Sequence, residues 1–86
     1  MHQNELEQNN NDVLRQAFAT ALVIDIDLIQ DTLVYNSIPQ WDSTAHMLLI
    51  AELEHNFKVM LDTDDIIDMN SVAKARDILT KHGVVF

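Results

Sequence analysis

A single glycine, Gly83, and a single proline, Pro39, interrupt a chain of 86 residues. Long helices form readily in such a chain, whereas a β-fold with many tight turns needs these residues often. The chain contains no cysteine, which excludes disulfides, thiolate zinc sites and thiol nucleophiles. A hydrophobic fraction of 48% is too high for a disordered segment. We therefore expect one small all-α domain over residues 1–86.

The net charge of −9 is concentrated in the middle of the chain. Residues 25–68 contain ten acidic residues and one basic residue, Lys58, whereas acids and bases balance outside them. Nucleic acid is disfavoured as a partner, because phosphate binding needs positive charge. A solubilising surface and a surface for basic partner proteins both fit the charge. The polar N-terminus and the lack of an apolar run of about 20 residues predict no signal peptide, no membrane span and a cytoplasmic location.

Apolar residues at helical spacing predict four helices. The first predicted helix covers residues 12–22, and the second runs from residue 43 to residue 57 or 58. The third runs from residue 63 or 64 to residue 69. The fourth follows a cap at residue 70 or 71 and ends at residue 81. Residues 1–11 are expected to be frayed or irregular, with Asn9, Asn10 and Asn11 offering N-caps for the first helix. Gly83 is expected to end the fourth helix.

Residues 23–41 have no sustained helical period, because polar residues and Pro39 separate isolated apolar ones. So long a connection in a small domain indicates a functional or self-packed loop, and its apolar residues are expected to pack against the helices. Trp41, at its end, is expected to pack against the bundle. The predicted core residues are Ile50, Leu53 and Phe57 in the second helix, and Val72, Ala75, Ile78 and Leu79 in the fourth. Leu48 is expected to be partly exposed.

Asp42 and Ser43 stand at the start of the predicted second helix, where backbone N–H groups lack intrahelical partners and the helix dipole is positive. A phosphodiester on the Ser43 hydroxyl would be stabilised there, as free phosphates are at helix N-termini. The alternative is that Asp42 or Ser43 is a plain N-cap, which contributes about 1 kcal/mol. Ser71 also begins a predicted helix, and nothing around it indicates more than a cap.

The sequence of residues 41–57, WDSTAHMLLIAELEHNF, resembles the acyl carrier protein family. In that family an Asp-Ser-Leu motif, often preceded by Trp, opens a helix that ends in Leu-Glu-x-x-Phe. Residues 31–33 (DTL) and 38–39 (IP) match the family's long loop before the motif. Residues 64–72 resemble its short third helix and the start of the fourth. The resemblance covers roughly residues 13–82.

The resemblance implies a four-helix bundle of acyl-carrier type, with a long loop between the first and second helices and a short third helix. It implies that a phosphopantetheinyl transferase attaches phosphopantetheine covalently to Ser43 from coenzyme A, with Asp42 presenting the serine. The terminal thiol then carries acyl groups as thioesters between acyl-loading and acyl-transfer enzymes of fatty acid or polyketide biosynthesis. The protein itself is expected to be a monomer without catalytic activity.

The family also shelters acyl chains among its helices. By that resemblance, four residues that are otherwise plain core are candidate pocket lining: Ile50, Leu53, Phe57 and Ile78. The resemblance further places a partner-binding surface on the second helix, with candidate residues Thr44, Met47, Leu48 and Glu54. The cargo stays open among fatty acyl, polyketide and aminoacyl groups.

The chain departs from the family on that surface. Thr44 stands where the family has leucine, and acids are scarce along the second helix, where only Glu52 and Glu54 follow Asp42. We expect docking that is less electrostatic and more apolar, as in a carrier dedicated to one pathway. The alternative function is an unmodified acidic helical module for protein–protein interaction with a carrier-like fold.

Other groups of candidate residues lack members that metal binding or hydrolysis requires. Residues 62–65 resemble a calcium loop, but the required glycine and terminal glutamate are absent, so no metal site is predicted. His46 follows Ser43 by three residues, but no glycine-rich turn offers an oxyanion hole. His46 and His55 are too far apart on one helix to chelate a metal together. His46 is therefore expected to be a surface histidine.

Overall fold

The computed structural model describes the backbone of residues 2–86 and the side chains of residues 9–86. This part of the chain forms four α-helices and no strand, so the protein is all-α. The helices are α1 (His2–Leu22), α2 (Ser43–Phe57), α3 (Thr63–Asp68) and α4 (Val72–Lys81). A long loop with one turn of 3-10 helix, Ile26–Leu28, joins α1 to α2. Among the described helices, none is long and apolar enough to cross a membrane.

The first helix begins at His2, ten residues before the predicted start. The predictions of an irregular segment before residue 12 and of an asparagine cap were therefore wrong over residues 2–11, while Met1 lies outside the described residues. Residues 2–11 contain one apolar residue, Leu6, so no apolar period marks a helix there. Tertiary hydrogen bonds hold the helix at residues 10 and 11: Asn10 Nδ2 donates to Val85 O at 2.8 Å, and Arg76 Nε donates to Asn11 Oδ1 at 3.0 Å.

The core lies between the helices and the inner side of the α1–α2 loop. Trp41 is fully buried and meets Phe18 of α1 edge to face, with ring centroids 5.3 Å apart. Phe57 is only half-buried beside Phe86, contrary to prediction, because it ends α2 at the rim of the core. The predicted core residues that are confirmed are Ile50, Leu53, Val72, Ala75, Ile78 and Leu79.

Hydrogen bonds from α1 order the first half of the loop. Arg15 Nε donates to Ile29 O at 3.2 Å, and Arg15 Nη2 donates to Ile26 O at 3.1 Å. Ile29 is buried as expected, but Leu28 and Val34 are exposed. The expectation that the apolar loop residues all pack inward was therefore wrong, because backbone carbonyl bonds to Arg15 hold this segment without burying every side chain.

The second half of the loop lies against the start of α4. Val34 and Ser71 form an isolated antiparallel bridge. On either side of it, Tyr35 N donates to Asn70 O at 2.9 Å, and Val72 N donates to Leu33 O at 3.1 Å. Residues 33–35 of the loop are therefore held by the chain that leads into α4.

Candidate functional site

Asp42 is the N-cap of α2. Its backbone is extended (φ −101°, ψ −174°), and its Oδ1 accepts a hydrogen bond from Ala45 N at 2.9 Å. Ser43 is the first residue inside the helix and is exposed. Of the two possible caps, the structure selects Asp42, whose carboxylate also suits the positive end of the helix dipole. The Ser43 hydroxyl is therefore presented on the surface beside N–H groups of the first turn.

Ser71 occupies a different position relative to its helix. Its backbone is extended (φ −157°, ψ 165°), and its Oγ accepts a hydrogen bond from Lys74 N at 3.0 Å. The prediction that Ser71 is a cap is confirmed. The hydroxyl of Ser71 is thus occupied by the capping hydrogen bond at the start of α4.

Three of the candidate partner-binding residues lie on one exposed surface with Ser43. Met47 follows Ser43 by four residues, and Leu48 follows Thr44 by four, so each pair shares a face of α2. Thr44 is exposed, and the side chains of Met47 and Leu48 are 55% and 56% exposed. The predicted exposure of Leu48 is confirmed. Ser43, Thr44, Met47 and Leu48 form what we call the α2 face, which combines two uncharged polar residues with two exposed apolar ones.

Glu54, the fourth candidate, is engaged within the protein. It is half-buried, and its Oε2 accepts a hydrogen bond from Leu61 N at 3.0 Å. Its carboxylate thereby orders the connection between α2 and α3. Sequence spacing alone gives no sign of this contact, because Leu61 lies beyond the end of α2.

His46 is not the surface histidine that the sequence predicted. It is half-buried, with Nδ1 at 3.0 Å from Trp41 Nε1 and Nε2 at 2.8 Å from Ile66 O. Its ring also stacks near the Trp41 indole and meets the Tyr35 ring edge to face. His46 therefore joins α2 to the end of the long loop and to α3. All three of these partners lie outside its helix, so helical periodicity does not reveal them.

A cavity of about 260 Å³ opens beside this histidine. It is mostly apolar and lies between the end of the long loop, α2 and α3. Its lining residues are Tyr35, His46, Ile66, Ile67, Met69 and Asn70. The residues expected to line an acyl pocket do not line it, since Ile50, Leu53 and Ile78 are buried in the core. The histidine in its wall lies three residues, about 4.5 Å of helix rise, from Ser43.

Asp65 of α3 is a buried carboxylate that the sequence did not reveal. Its Oδ1 lies 2.7 Å from Lys81 Nζ, and its Oδ2 lies 2.7 Å from His82 Nε2. These hydrogen bonds, that from Lys81 first, lower the pKa of Asp65 to about 2 despite the opposing effect of burial. The same contact raises the pKa of Lys81. Asp65 therefore fastens α3 to the end of α4.

Asp62, just before α3, also has a structural role. Asp62 is the N-cap of this helix, with Oδ1 accepting from Asp65 N at 2.8 Å. Among the side chains of residues 9–86, no group of three or more His, Asp or Glu residues is arranged to hold a metal ion.

No family model, curated protein or solved structure matches this chain. The structure gives a small all-α domain with four helices, an exposed serine at the start of α2, and an apolar cavity nearby. These features can be interpreted as a carrier site only together with the motif in residues 41–57 and its resemblance to the acyl carrier family.

Proposed function

We propose that the protein is an acyl carrier protein that holds acyl groups as thioesters on a phosphopantetheine arm attached to Ser43. The observation that carries the proposal is the exposed Ser43 hydroxyl, inside a Trp-Asp-Ser motif and in the first turn of α2. Asp42 makes the cap, so modification of Ser43 removes no capping bond. A phosphodiester there would lie at the positive end of the helix, where anions are stabilised.

The absence of cysteine fits a carrier whose reactive thiol comes from its cofactor. A phosphopantetheinyl transferase would form the Ser43 phosphodiester from coenzyme A and release adenosine bisphosphate. The thiol at the end of the arm would then form thioesters with acyl groups of a fatty acid or polyketide pathway. In this scheme the chain catalyses no step; it presents the arm to the acyl-loading and acyl-transfer enzymes.

The α2 face fits a carrier dedicated to its own partner enzymes. Met47 and Leu48 are exposed beside Ser43, and Thr44 is polar but uncharged. Docking on this face would bury apolar surface, which contributes about 25 cal/mol per Å² and changes little with salt. A generic fatty acid synthase is expected to load and elongate this protein much less efficiently than its own carrier. Equal efficiency would argue against a dedicated carrier.

The cavity beside His46 offers an apolar environment within one helical turn of the attachment serine. Its volume of about 260 Å³ exceeds the 150 Å³ or so of a dry cavity that admits benzene. Part of an apolar cargo would fit there. This supports the carrier proposal without naming the cargo.

The decisive experiment is intact-mass analysis after incubation with coenzyme A and a broad-specificity phosphopantetheinyl transferase. We expect wild-type protein to gain the mass of one phosphopantetheine and to react with a thiol-specific dye. Ser43→Ala should gain neither, whereas the matched control Ser71→Ala should gain both. Because the chain has no cysteine, any dye that reacts reports the arm.

The same experiment tests the second candidate, an unmodified interaction module. The observation that favours this candidate is the exposed apolar pair Met47 and Leu48, which would serve protein docking without any arm. No mass increase under conditions that fully modify a control carrier would overturn the carrier proposal and favour the module. Modification of Ser43→Ala would overturn the assignment of the attachment residue.

A further inference from the structure

His46 is the point at which three parts of the fold meet. It belongs to α2, one turn after Ser43; its Nδ1 faces the indole Nε1 of Trp41 at 3.0 Å, and its Nε2 faces Ile66 O of α3 at 2.8 Å. Trp41 is fully buried and is the only tryptophan in the chain. Both ring nitrogens of His46 therefore have a partner from outside the helical hydrogen-bond pattern of α2.

These partners determine the protonation state of the ring. An indole N–H only donates, so Nδ1 of His46 must accept from Trp41 and carries no proton. A backbone carbonyl only accepts, so Nε2 must carry a proton and donate it to Ile66 O. The arrangement therefore requires the neutral Nε2–H tautomer of His46. No other state of the ring satisfies both bonds.

We propose that His46 is a pH-sensitive latch: as a neutral imidazole it holds Trp41 and α3 against the Ser43 end of α2, and protonation releases them. A protonated ring carries N–H groups on both nitrogens, so the Nδ1–H would face the Trp41 N–H at 3.0 Å, donor against donor. The buried indole would lose its partner. Histidine is the side chain whose charge normally changes between about pH 5 and 8.

The titratable and charged groups around His46 belong to the long loop, to α2 and α3, and to the end of α4. Tyr35 faces the ring from the long loop, with ring centroids 5.2 Å apart. The acids on the two helices that His46 joins are Asp42, Glu52 and Glu54 with α2, and Asp62, Asp64, Asp65 and Asp68 with α3. His55 is at the far end of α2. Lys81 and His82 approach α3 through Asp65.

Release of the latch would change the cavity beside Ser43. His46, Tyr35 and Ile66 all line that cavity, and the ring of His46 crosses from α2 to the α3 carbonyl. Without the bond to Ile66 O, the cavity wall would lose one of the contacts that join α2 to α3. The latch concerns the fold and does not depend on modification of Ser43, so it can fail while the carrier proposal holds.

Trp41 reports the latch directly. We expect its fluorescence and its indole N–H resonance to change in one single-proton transition between pH 8 and pH 5 in the wild-type protein. His46→Gln should abolish that transition, because the glutamine amide offers an acceptor and a donor but does not titrate. His55→Gln, an exposed histidine on the same helix, is the matched control and should keep the wild-type transition.

Two further measurements separate a latch from a merely structural role. At pH 8, ring nitrogen shifts of His46 should show the Nε2–H tautomer. His46→Phe keeps an aromatic ring but removes both hydrogen bonds, so its melting temperature at pH 8 should fall by roughly 5–15 °C, while that of His46→Gln should stay closer to wild type.

Three results would overturn the proposal. The first is an Nδ1–H tautomer of His46 at pH 8. The second is a Trp41 transition that persists in His46→Gln, since another group would then cause it. The third is a wild-type protein whose His46 ring titrates while the Trp41 signals stay unchanged. The first and third need no variant, so they decide the question even if His46→Gln fails to fold.

Discussion

The starts of α2 and α4 each contain a serine, but in different registers. In α4 the serine is the N-cap, with Ser71 Oγ bound to Lys74 N. In α2 the preceding carboxylate is the cap, with Asp42 Oδ1 bound to Ala45 N, and Ser43 lies one position inside the helix. The comparison teaches that a serine at a helix start becomes a surface group when an acid before it makes the cap.

The largest expected difference between the two serines is chemical. With coenzyme A and a transferase, Ser43→Ala should abolish mass gain completely, and Ser71→Ala should leave it unchanged. The physical reason is that Asp42 makes the cap of α2 and leaves Ser43 exposed, whereas the Ser71 hydroxyl itself accepts the capping bond of α4. Intact-mass analysis of both variants checks this. Equal modification of the two variants would break the comparison.

The two helices are also joined to α3 by different kinds of contact. His46 Nε2 of α2 lies 2.8 Å from Ile66 O of α3, whereas the Asp65 carboxylate of α3 forms an ion pair with Lys81 at the end of α4. The pKa of Asp65 is about 2 in the folded protein, against 3.8 unperturbed, so it contributes stability above about pH 4 that is lost as pH falls towards 2.

Denaturant unfolding at a series of pH values measures this contribution. We expect stability to fall between about pH 4 and pH 2 in the wild-type protein and the fall to be smaller in Asp65→Asn, which has no charge to lose. Asp77→Asn, at an exposed position of α4 itself, serves as the control and should keep the wild-type profile. An Asp65→Asn profile that matches wild type would show that the pair with Lys81 adds nothing to stability.

The caps should have similar, moderate effects. Asp42→Ala and Ser71→Ala each remove a side-chain acceptor for one helical N–H, which costs about 1 kcal/mol of unfolding free energy. For a domain of this size, that lowers the melting temperature by about 4–8 °C. Thermal unfolding followed by circular dichroism checks both. A much smaller loss in Asp42→Ala would mean that another group caps α2.

The smallest expected effect sharpens the comparison most. Ser43→Ala removes an exposed hydroxyl that makes no cap, so its unfolding free energy should change by less than about 0.5 kcal/mol. Asp42→Asn should be equally mild, because asparagine caps as well as aspartate does. The same unfolding measurement applies to both. If Ser43→Ala destabilised the protein as much as Ser71→Ala, the two serines would be structural equivalents.

Local pattern predicted most of the helical fold. Apolar spacing gave α2, α3 and α4 to within a residue or two, since their buried faces repeat at the helical period. Residues 2–11 of α1 were missed because they contain one apolar residue, Leu6, and therefore no apolar stripe. The tertiary bonds of Asn10 with Val85 and of Asn11 with Arg76 could not be predicted from local sequence. The exposure of Leu48 and the capping role of Ser71 also followed from local rules.

The site was less predictable because its contacts are distant in sequence. His46 depends on Ile66, and Asp65 depends on Lys81 and His82, so neither role follows from its own helix. From the sequence alone, the acids before and within α3 fit equally well as exposed residues that interact with the positive end of the helix dipole. Asp65 is buried because the end of α4 lies against it, and a sequence window around α3 does not include that end.

The bridge between the long loop and the start of α4 sets an order of events during synthesis. Leu33 O and Tyr35 N find their backbone partners in Val72 and Asn70. On a ribosome, these bonds therefore form only after the start of α4 has emerged. A nascent chain that lacks α4 lacks this connection between the long loop and the C-terminal helix.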